Sequence, residues 1–434
     1  MNNQKTETSK TPFVYPNMKL AFVLLVTCFT AWGVAANMTD PLVKVFSQIF
    51  TMSNLESALV QFAYYGAYFC LALPAAFINV RFSYKTGVLT GLGLATLGAL
   101  AFYPASVSMT YGAFLAALFI LAAGLSILET SANPFVMAMG PKLTATRRLN
   151  LAQAFNPVGT NIGVLLAATL ILPNLNPATA EQRAAMAPQA LHAIQQLELD
   201  AVMMPYVGMA FFLIIIWIMI ALVKLPKSEK VAEKVDPADK QHYGFIATLG
   251  RLIKLPNYRW GVVAQFFNVA GQTCTWTFTI QYVQEAMGGS ATHASDYLQY
   301  SLMIFLVSRF VMTWLIGIFR PTLLLGIMAL LGTALCVYAA INPSISGVWA
   351  IVMISVSLSL MFPTIYGVAL NGLGKDAKFG SAGLVMAILG GAIMPVVQGG
   401  VIDSYGAAVS YIVPGICFLV VASYGFSSMK RVKD

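Results

Sequence analysis

An all-α membrane protein, with twelve transmembrane helices in two six-helix halves, is the fold class that this sequence predicts. Three observations predict it. Of 434 residues, 58% are hydrophobic and 9% charged, and a mean hydropathy of +0.76 leaves too little polar surface for a soluble globule. Apolar runs of about 20 residues, the length that crosses a bilayer's hydrocarbon core, recur along the whole chain. A charged stretch over 225–258 interrupts them near the middle.

In chain order the runs fall at 19–38, 58–79, 87–105, 113–139, 151–172 and 202–223 in the first half. They resume at 260–283, 297–319, 323–341, 348–370, 382–402 and 407–429. The first half is thus 19–224 and the second 259–429. Residues 1–18 form a polar tail containing Pro12 and Pro16, unlike a cleaved signal, so the first span itself is expected to direct the chain to the membrane. The segment 225–258 mixes Glu229, Glu233, Asp236, Pro237 and Asp239 with lysines, the composition of a solvated linker. Residues 430–434 form a short basic tail.

Basic residues set the orientation. Lys5, Lys10, Arg81, Lys85, Lys142, Arg147, Arg148, Lys227, Lys254, Arg320, Lys375 and Lys430 all flank spans on the side of the termini, whereas Lys44 and Arg183 lie opposite. By the positive-inside rule both termini are expected in the cytoplasm, with the tails and linker. The net charge of +9 then reflects topology, and no affinity for nucleic acid is expected.

Several chemistries find no support. Cys28, Cys70, Cys274, Cys336 and Cys417 all lie within spans, away from the setting of a disulfide framework. His192, His242 and His293 fall in connecting segments without ligand spacing to an acidic or cysteine cluster, so no metal is expected. No nucleophile–base set or phosphate loop argues for an enzyme, and no organic cofactor is expected.

The informative residues are polar ones inside the spans. Glu129 sits mid-way through the fourth, where an ionised carboxylate costs several kcal/mol and asks for a functional reason. At about 100° per residue, Ser126, Glu129 and Asn133 share one narrow arc. In the fifth span Asn150, Gln153, Asn156 and Thr160 repeat the pattern. A longer stripe in the seventh joins Gln265, Asn268, Gln272, Thr275, Trp276 and Thr279. Amides on several helices, with Trp32 and Trp276 from opposite halves, suit a sugar: amides pair with hydroxyls and an aromatic face covers ring C–H groups. The competing reading is interhelical hydrogen bonding. No clustered basic pair marks a phosphorylated or strongly anionic substrate.

Asp40 follows Asn37 at the outer end of the first span, and Pro41 is expected to end the helix there. An outer acid and a midplane acid give a proton a point of entry and a destination, with Glu129 exchanging it as the surroundings open and close. Arg309 is a further charge inside a span; it either snorkels toward the face of the termini or serves a gate or the substrate.

Longer strings carry these residues: WGVAANMTD at 32–40, GLSILETSANPF at 124–135 and LNLAQAFN at 149–156. RFSYKTG at 81–87, QTCTW at 272–276, Arg309 with Phe310, PTI at 363–365 and Gly390 with Gly391 extend the set over nearly the full length. The ordered set resembles the fucose, galactose and glucose proton-symporter family of the major-facilitator superfamily. That resemblance implies proton-coupled import of a monosaccharide, with Asp40 in proton entry, Glu129 in coupling and sugar recognition, and Asn37, Gln153 and Asn156 in the sugar cavity. Two stretches depart from the pattern. AFINVR at 76–81 lacks the Gly and Asp usual in that superfamily loop, and Phe362 with Met361 stands where fucose carriers have a Gln-Tyr pair before the proline. Tyr366, one turn on, partly substitutes.

The expected function is therefore symport of a neutral monosaccharide with a proton, L-fucose first and another hexose or deoxyhexose of the galactose, glucose or rhamnose type second. A proton-linked exporter and a sugar sensor are less favoured alternatives. The sugar site is expected from Trp32, Asn37, Glu129, Asn133, Gln153, Asn156, Gln265, Asn268, Gln272, Trp276 and Phe362, and proton coupling from Asp40 and Glu129. The protein should work as a monomer in the inner membrane, with lipid, sugar and protons as its partners.

Overall fold

The structure is a computed structural model and describes residues 12–49, 54–176, 178, 182–183, 185–223, 245–288 and 290–431. Its first half comprises α1 (Lys19–Ile49), α2 (Asn54–Arg81), α3 (Tyr84–Ser108), α4 (Tyr111–Ala138), α5 (Ala145–Gln153), α6 (Asn156–Leu166) and α7 (Pro188–Leu222). After α8 (Phe245–Lys254), the second half comprises α9 (Pro256–Thr277), α10 (Thr279–Met287), α11 (Ala291–Leu315), α12 (Pro321–Ile341), α13 (Ile345–Leu370), α14 (Ala377–Met386), α15 (Gly390–Ser410) and α16 (Ile412–Ser428). Helices form because each segment is a long apolar run whose backbone groups have no water to bond to, so every bond must close within the segment. Among the described residues ten helical stretches are long and apolar enough to cross a membrane. The shorter α16 and the pair α9–α10, which bears the amide stripe, complete twelve spans.

Three spans are broken, each at an identifiable place. The fifth divides into α5 and α6 because Pro157 stands at the start of α6 and cannot donate to the Gln153 carbonyl four residues earlier. It closes in a π turn, Ala167–Ile171. The seventh divides at Phe278, the residue shared between α9 and α10. The eleventh passes through a 3-10 turn, Ala387–Leu389, between α14 and α15.

Some expectations need correction. The first helix does not end at Pro41: α1 continues through Asp40 to Ile49. Losing one ladder bond at a proline is tolerated where water or neighbours serve the freed carbonyl. The Asp40 backbone is therefore helical, and its side chain lies outside the described residues. His192 is not in a connection but inside α7, which begins at Pro188 and at about 1.5 Å per residue outruns the bilayer core. His293 lies in the first turn of α11, 3.8 Å from Asp296, and His242 falls outside the described residues. The end of the expected linker is also structured. There α8 tucks Thr248 and Leu252 inward, its Phe245 meets Phe77 and Phe379, and Arg251 grips Asp376 at 2.7 and 2.9 Å.

Small residues set how closely helices approach. A Cβ placed on Gly159 of α6 would lie 1.9 Å from the Thr30 carbonyl oxygen of α1, and one on Gly33 of α1 would lie 2.1 Å from the Asn156 carbonyl oxygen. The two backbones touch there, which puts Trp32 and Asn37 beside Asn156 and Thr160. Gly159→Ala should lower the melting temperature of the detergent-solubilised protein, by the equivalent of about 1–3 kcal/mol, because neither backbone can retreat. Gly208→Ala in α7, where nothing lies within 4 Å, should instead raise it slightly, since alanine favours helix by about 1 kcal/mol. Melting curves that moved the same way for both would refute this account.

Two basic residues read from sequence as loop charges are structural. Arg148, fully buried, donates to the carbonyls of Val136 (2.7 Å), Met137 and Phe13 (2.8 Å), closing the C-terminus of α4 and tying down the amino-terminal segment. On the opposite face Arg183, 1% exposed, meets the Glu198 carboxylate in two bonds of 2.5 and 2.9 Å and also donates to the Asn176 and Ala178 carbonyls. Arg183→Met strands a buried carboxylate and should cost about 3–5 kcal/mol, most of it recovered on adding Glu198→Leu. Melting temperatures of the single and double variants check this; equal losses in both would refute a pair.

Candidate functional site at the interface of the two halves

The first half contributes a connected polar group. Every residue of α4 from Leu121 to Val136 is buried, so Glu129 and Asn133, both fully buried, have no solvent on any side. Gln153 of α5 donates to Asn133 Oδ1 at 2.9 Å. Trp32 of α1 donates through Nε1 to the Tyr68 hydroxyl of α2 at 2.9 Å. Asn37 donates to Thr160 Oγ1 at 2.9 Å and to the Gly33 carbonyl, and Asn156 donates to the Phe29 carbonyl at 3.3 Å. Against this pairing, neither Glu129 oxygen has a hydrogen-bond partner. A buried, unpartnered carboxyl is expensive to ionise, so this position suits a group that takes up and releases a proton.

Prolines explain two contacts around it. Pro134 cannot serve the Thr130 carbonyl, and Asn79 Nδ2 approaches that oxygen at 3.4 Å instead. Pro157 cannot serve the Gln153 carbonyl, and Arg309 Nη1 of α11 donates to it at 3.0 Å from the other half. Arg309 is 6% exposed, with its guanidinium 4.7 Å from the Phe305 ring centroid. It does not snorkel; the orphaned carbonyl and the aromatic face hold it inward, at the junction of the halves.

Further bonds join the halves on the face of the termini. Asn150 donates to Thr364 Oγ1 at 3.2 Å, Arg147 to the Thr313 carbonyl at 3.3 Å and Lys378 to the Asn79 carbonyl at 2.8 Å. Lys378 also lies over the Tyr84 ring. The Lys378 contact to the Asn79 carbonyl stands where the stretch 76–81 lacks an acid to pair with.

The expected residues of the second half are less connected. Gln265 and Asn268 are fully buried and none of their side-chain polar atoms has a partner. Trp276 donates to Ser355 Oγ at 3.2 Å and packs edge-on against Phe305, which in turn faces Arg309. Gln272 is half-buried one turn before Trp276. Phe362 of α13 stacks with Tyr366, whose buried hydroxyl has no hydrogen-bond partner. Not all of each stripe faces inward to the site. Ser126 donates to the Tyr68 carbonyl, while Thr275 and Thr279 donate back to carbonyls of their own span, Gly271 and Thr275, so these three are packing groups. The sequence reading missed Tyr68 and the inward course of Arg309. A proline four residues after Gln153 was the available signal for Arg309, since it announces a carbonyl in need of a donor.

A family model for the Major Facilitator Superfamily matches residues 20–388. The chain belongs to that superfamily. The L-fucose-proton symporter of Haemophilus influenzae is 38% identical to it over 95% of this chain and 97% of that protein. A glucose/galactose transporter of Brucella abortus is 31% identical over 99% of this chain and 98% of its own. Among solved structures, the major facilitator superfamily transporter FucP in the outward conformation superimposes with a TM-score of 0.88 at 36% identity, covering 96% of this chain and all of that one.

Proposed function

We propose that this member of the superfamily is a sugar:proton symporter, importing a neutral monosaccharide together with a proton across the cytoplasmic membrane. The observation that carries the reading is Glu129: a carboxyl with no solvent and no partner, one turn from the Asn133–Gln153 pair, at the junction of two six-helix halves. The halves, 19–224 and 259–429, rock about this junction, with 225–258 linking them and both termini in the cytoplasm. The closed face of the termini and the likeness to an outward-conformation structure support an outward-facing state.

Glu129 carries the coupling proton and Asp40 admits it. Trp32, Asn37, Glu129, Asn133, Gln153 and Asn156 hold one side of the sugar, and Gln265, Asn268, Gln272, Trp276 and Phe362 the other. Gln265 and Asn268 are poised for this, because their four unpaired polar atoms are satisfied when hydroxyls reach them. L-fucose is the first substrate, on the identity to fucose symporters. Galactose or glucose is second, on the 31% relative and on the apolar Met361 and Phe362. The protein acts as a monomer, with the proton as sole coupling ion and no cofactor.

The test is uptake of labelled L-fucose, galactose and glucose into proteoliposomes with and without an inward proton gradient. Accumulation of one sugar that a protonophore collapses supports symport and names the substrate. Binding without flux indicates a sensor, and sugar-driven proton movement in the opposite direction indicates an antiporter.

A further inference from the structure

Each half brings one indole to the proposed sugar site, and in both halves the indole N–H is already bonded within its own half. Trp32 of α1 donates to the Tyr68 hydroxyl of α2 at 2.9 Å. Trp276 of α9 donates to Ser355 Oγ of α13 at 3.2 Å, and Ser355 Oγ lies 2.5 Å from Ser301 Oγ of α11. Both serines are fully buried, whereas Trp276 is half-buried. A hydroxyl has one hydrogen and two lone pairs, so in either sense of the bond between the serines Ser355 keeps a lone pair for the indole. Phe305, one turn after Ser301 on the same face of α11, meets the Trp276 ring edge-on, with centroids 5.0 Å apart and planes at 86°. The indole is thus fixed at two points, its N–H and its ring.

We infer that Ser355, oriented by Ser301, is a positioning residue for sugar recognition: it occupies the Trp276 N–H, so that the indole meets the sugar with its ring alone. The inference deepens the proposed function and rests on Trp276 belonging to the sugar site. A ring covers C–H groups and discriminates little among hydroxyls, so hydroxyl recognition falls to the amides, of which Gln265 and Asn268 have every side-chain polar atom unpaired. The ligand class that this wall suits is a monosaccharide with an apolar C–H face. Tyr68 plays the same part for Trp32 in the first half. Because each hydroxyl belongs to the same half as its indole, both rings keep their orientation as the halves rock. An indole fixed before the sugar arrives also spares binding the cost of ordering it.

The test is Ser355→Ala in the full-length protein in proteoliposomes, with counterflow of the sugar that the wild type accumulates measured over a range of concentrations. The half-saturating concentration should rise about three- to tenfold, the scale of one neutral hydrogen bond, while the maximal rate changes by less than about twofold. Trp276→Phe keeps an aromatic ring but has no N–H, so adding Ser355→Ala to it should change half-saturation by less than about twofold. Ser355→Cys, similar in size but a weak acceptor, should move half-saturation in the same direction and serves if Ser355→Ala does not fold. A merely structural serine would lower the maximal rate alone, or multiply its loss with that of Trp276→Phe; either result overturns the assignment. Unchanged half-saturation in a folded Ser355→Ala or Ser355→Cys protein also overturns it and leaves the symport reading standing. A wild type that accumulates no sugar overturns the transport reading itself.

Discussion

Glu129→Gln is expected to reduce proton-driven sugar accumulation at least about a hundredfold while counterflow persists, because the amide keeps the shape and polarity of the carboxyl but can neither take up nor release a proton. The substitution is nearly isosteric in a site where neither oxygen is bonded, so no hydrogen bond is broken and folding should be intact or slightly improved. Uptake under an imposed proton gradient, uptake by counterflow and melting temperature distinguish the cases. Loss of counterflow in a stable protein would make Glu129 a binding group first. Unchanged accumulation would remove it from coupling altogether.

The second large effect is expected at Arg309. Its bond to the Gln153 carbonyl crosses between the halves, so it belongs to the state closed on the face of the termini. Opening that face separates α11 from α5 and leaves the carbonyl that Pro157 cannot serve. A hydrogen bond from a charged donor contributes about 1.5–3 kcal/mol, so Arg309→Met should shift the balance of states toward opening by about 10- to 150-fold. Spin labels at Leu143 and Ile318, exposed on that face in opposite halves, report the change as a longer distance population. An unaltered distribution would mean that Asn150, Arg147 and Lys378 hold the face closed without Arg309. Pro157→Ala offers the complementary result: restoring the helical N–H gives the Gln153 carbonyl a local partner and should weaken the same latch.

The two variants separate functions that the site holds close together. Glu129 sits one turn from Asn133, Asn133 is bonded to Gln153, and the Gln153 main chain receives Arg309. In the proposed symport, a proton on the carboxyl, a sugar hydroxyl on the amides and closure of the halves thus act on one short chain of contacts.

Much of this molecule was legible in order of residues alone. Twelve apolar runs and one charged interruption determined the helical fold and its two halves, because a bilayer admits few other solutions for a chain with so little polar surface. The cost of burying a carboxylate singled out Glu129, and helical spacing put Asn133 on the same arc, while the bond from Gln153 of another helix to Asn133 is seen only in the structure. Tertiary structure alone decided the rest. Spacing gives the face of a helix but not what stands opposite, so Ser126, Thr275 and Thr279 look like site residues in sequence and turn out to bond to neighbouring backbone. Arg183 and Glu198 are far enough apart in sequence that neither predicts the other, and only the packed loop shows them as a pair. Tyr68 carries no periodic signal, since an aromatic in a membrane helix is as apt to face lipid as protein. Arg309 was ambiguous because a long side chain reaches either way; its direction was chosen by a carbonyl on another helix, freed by a proline 152 residues earlier in the chain.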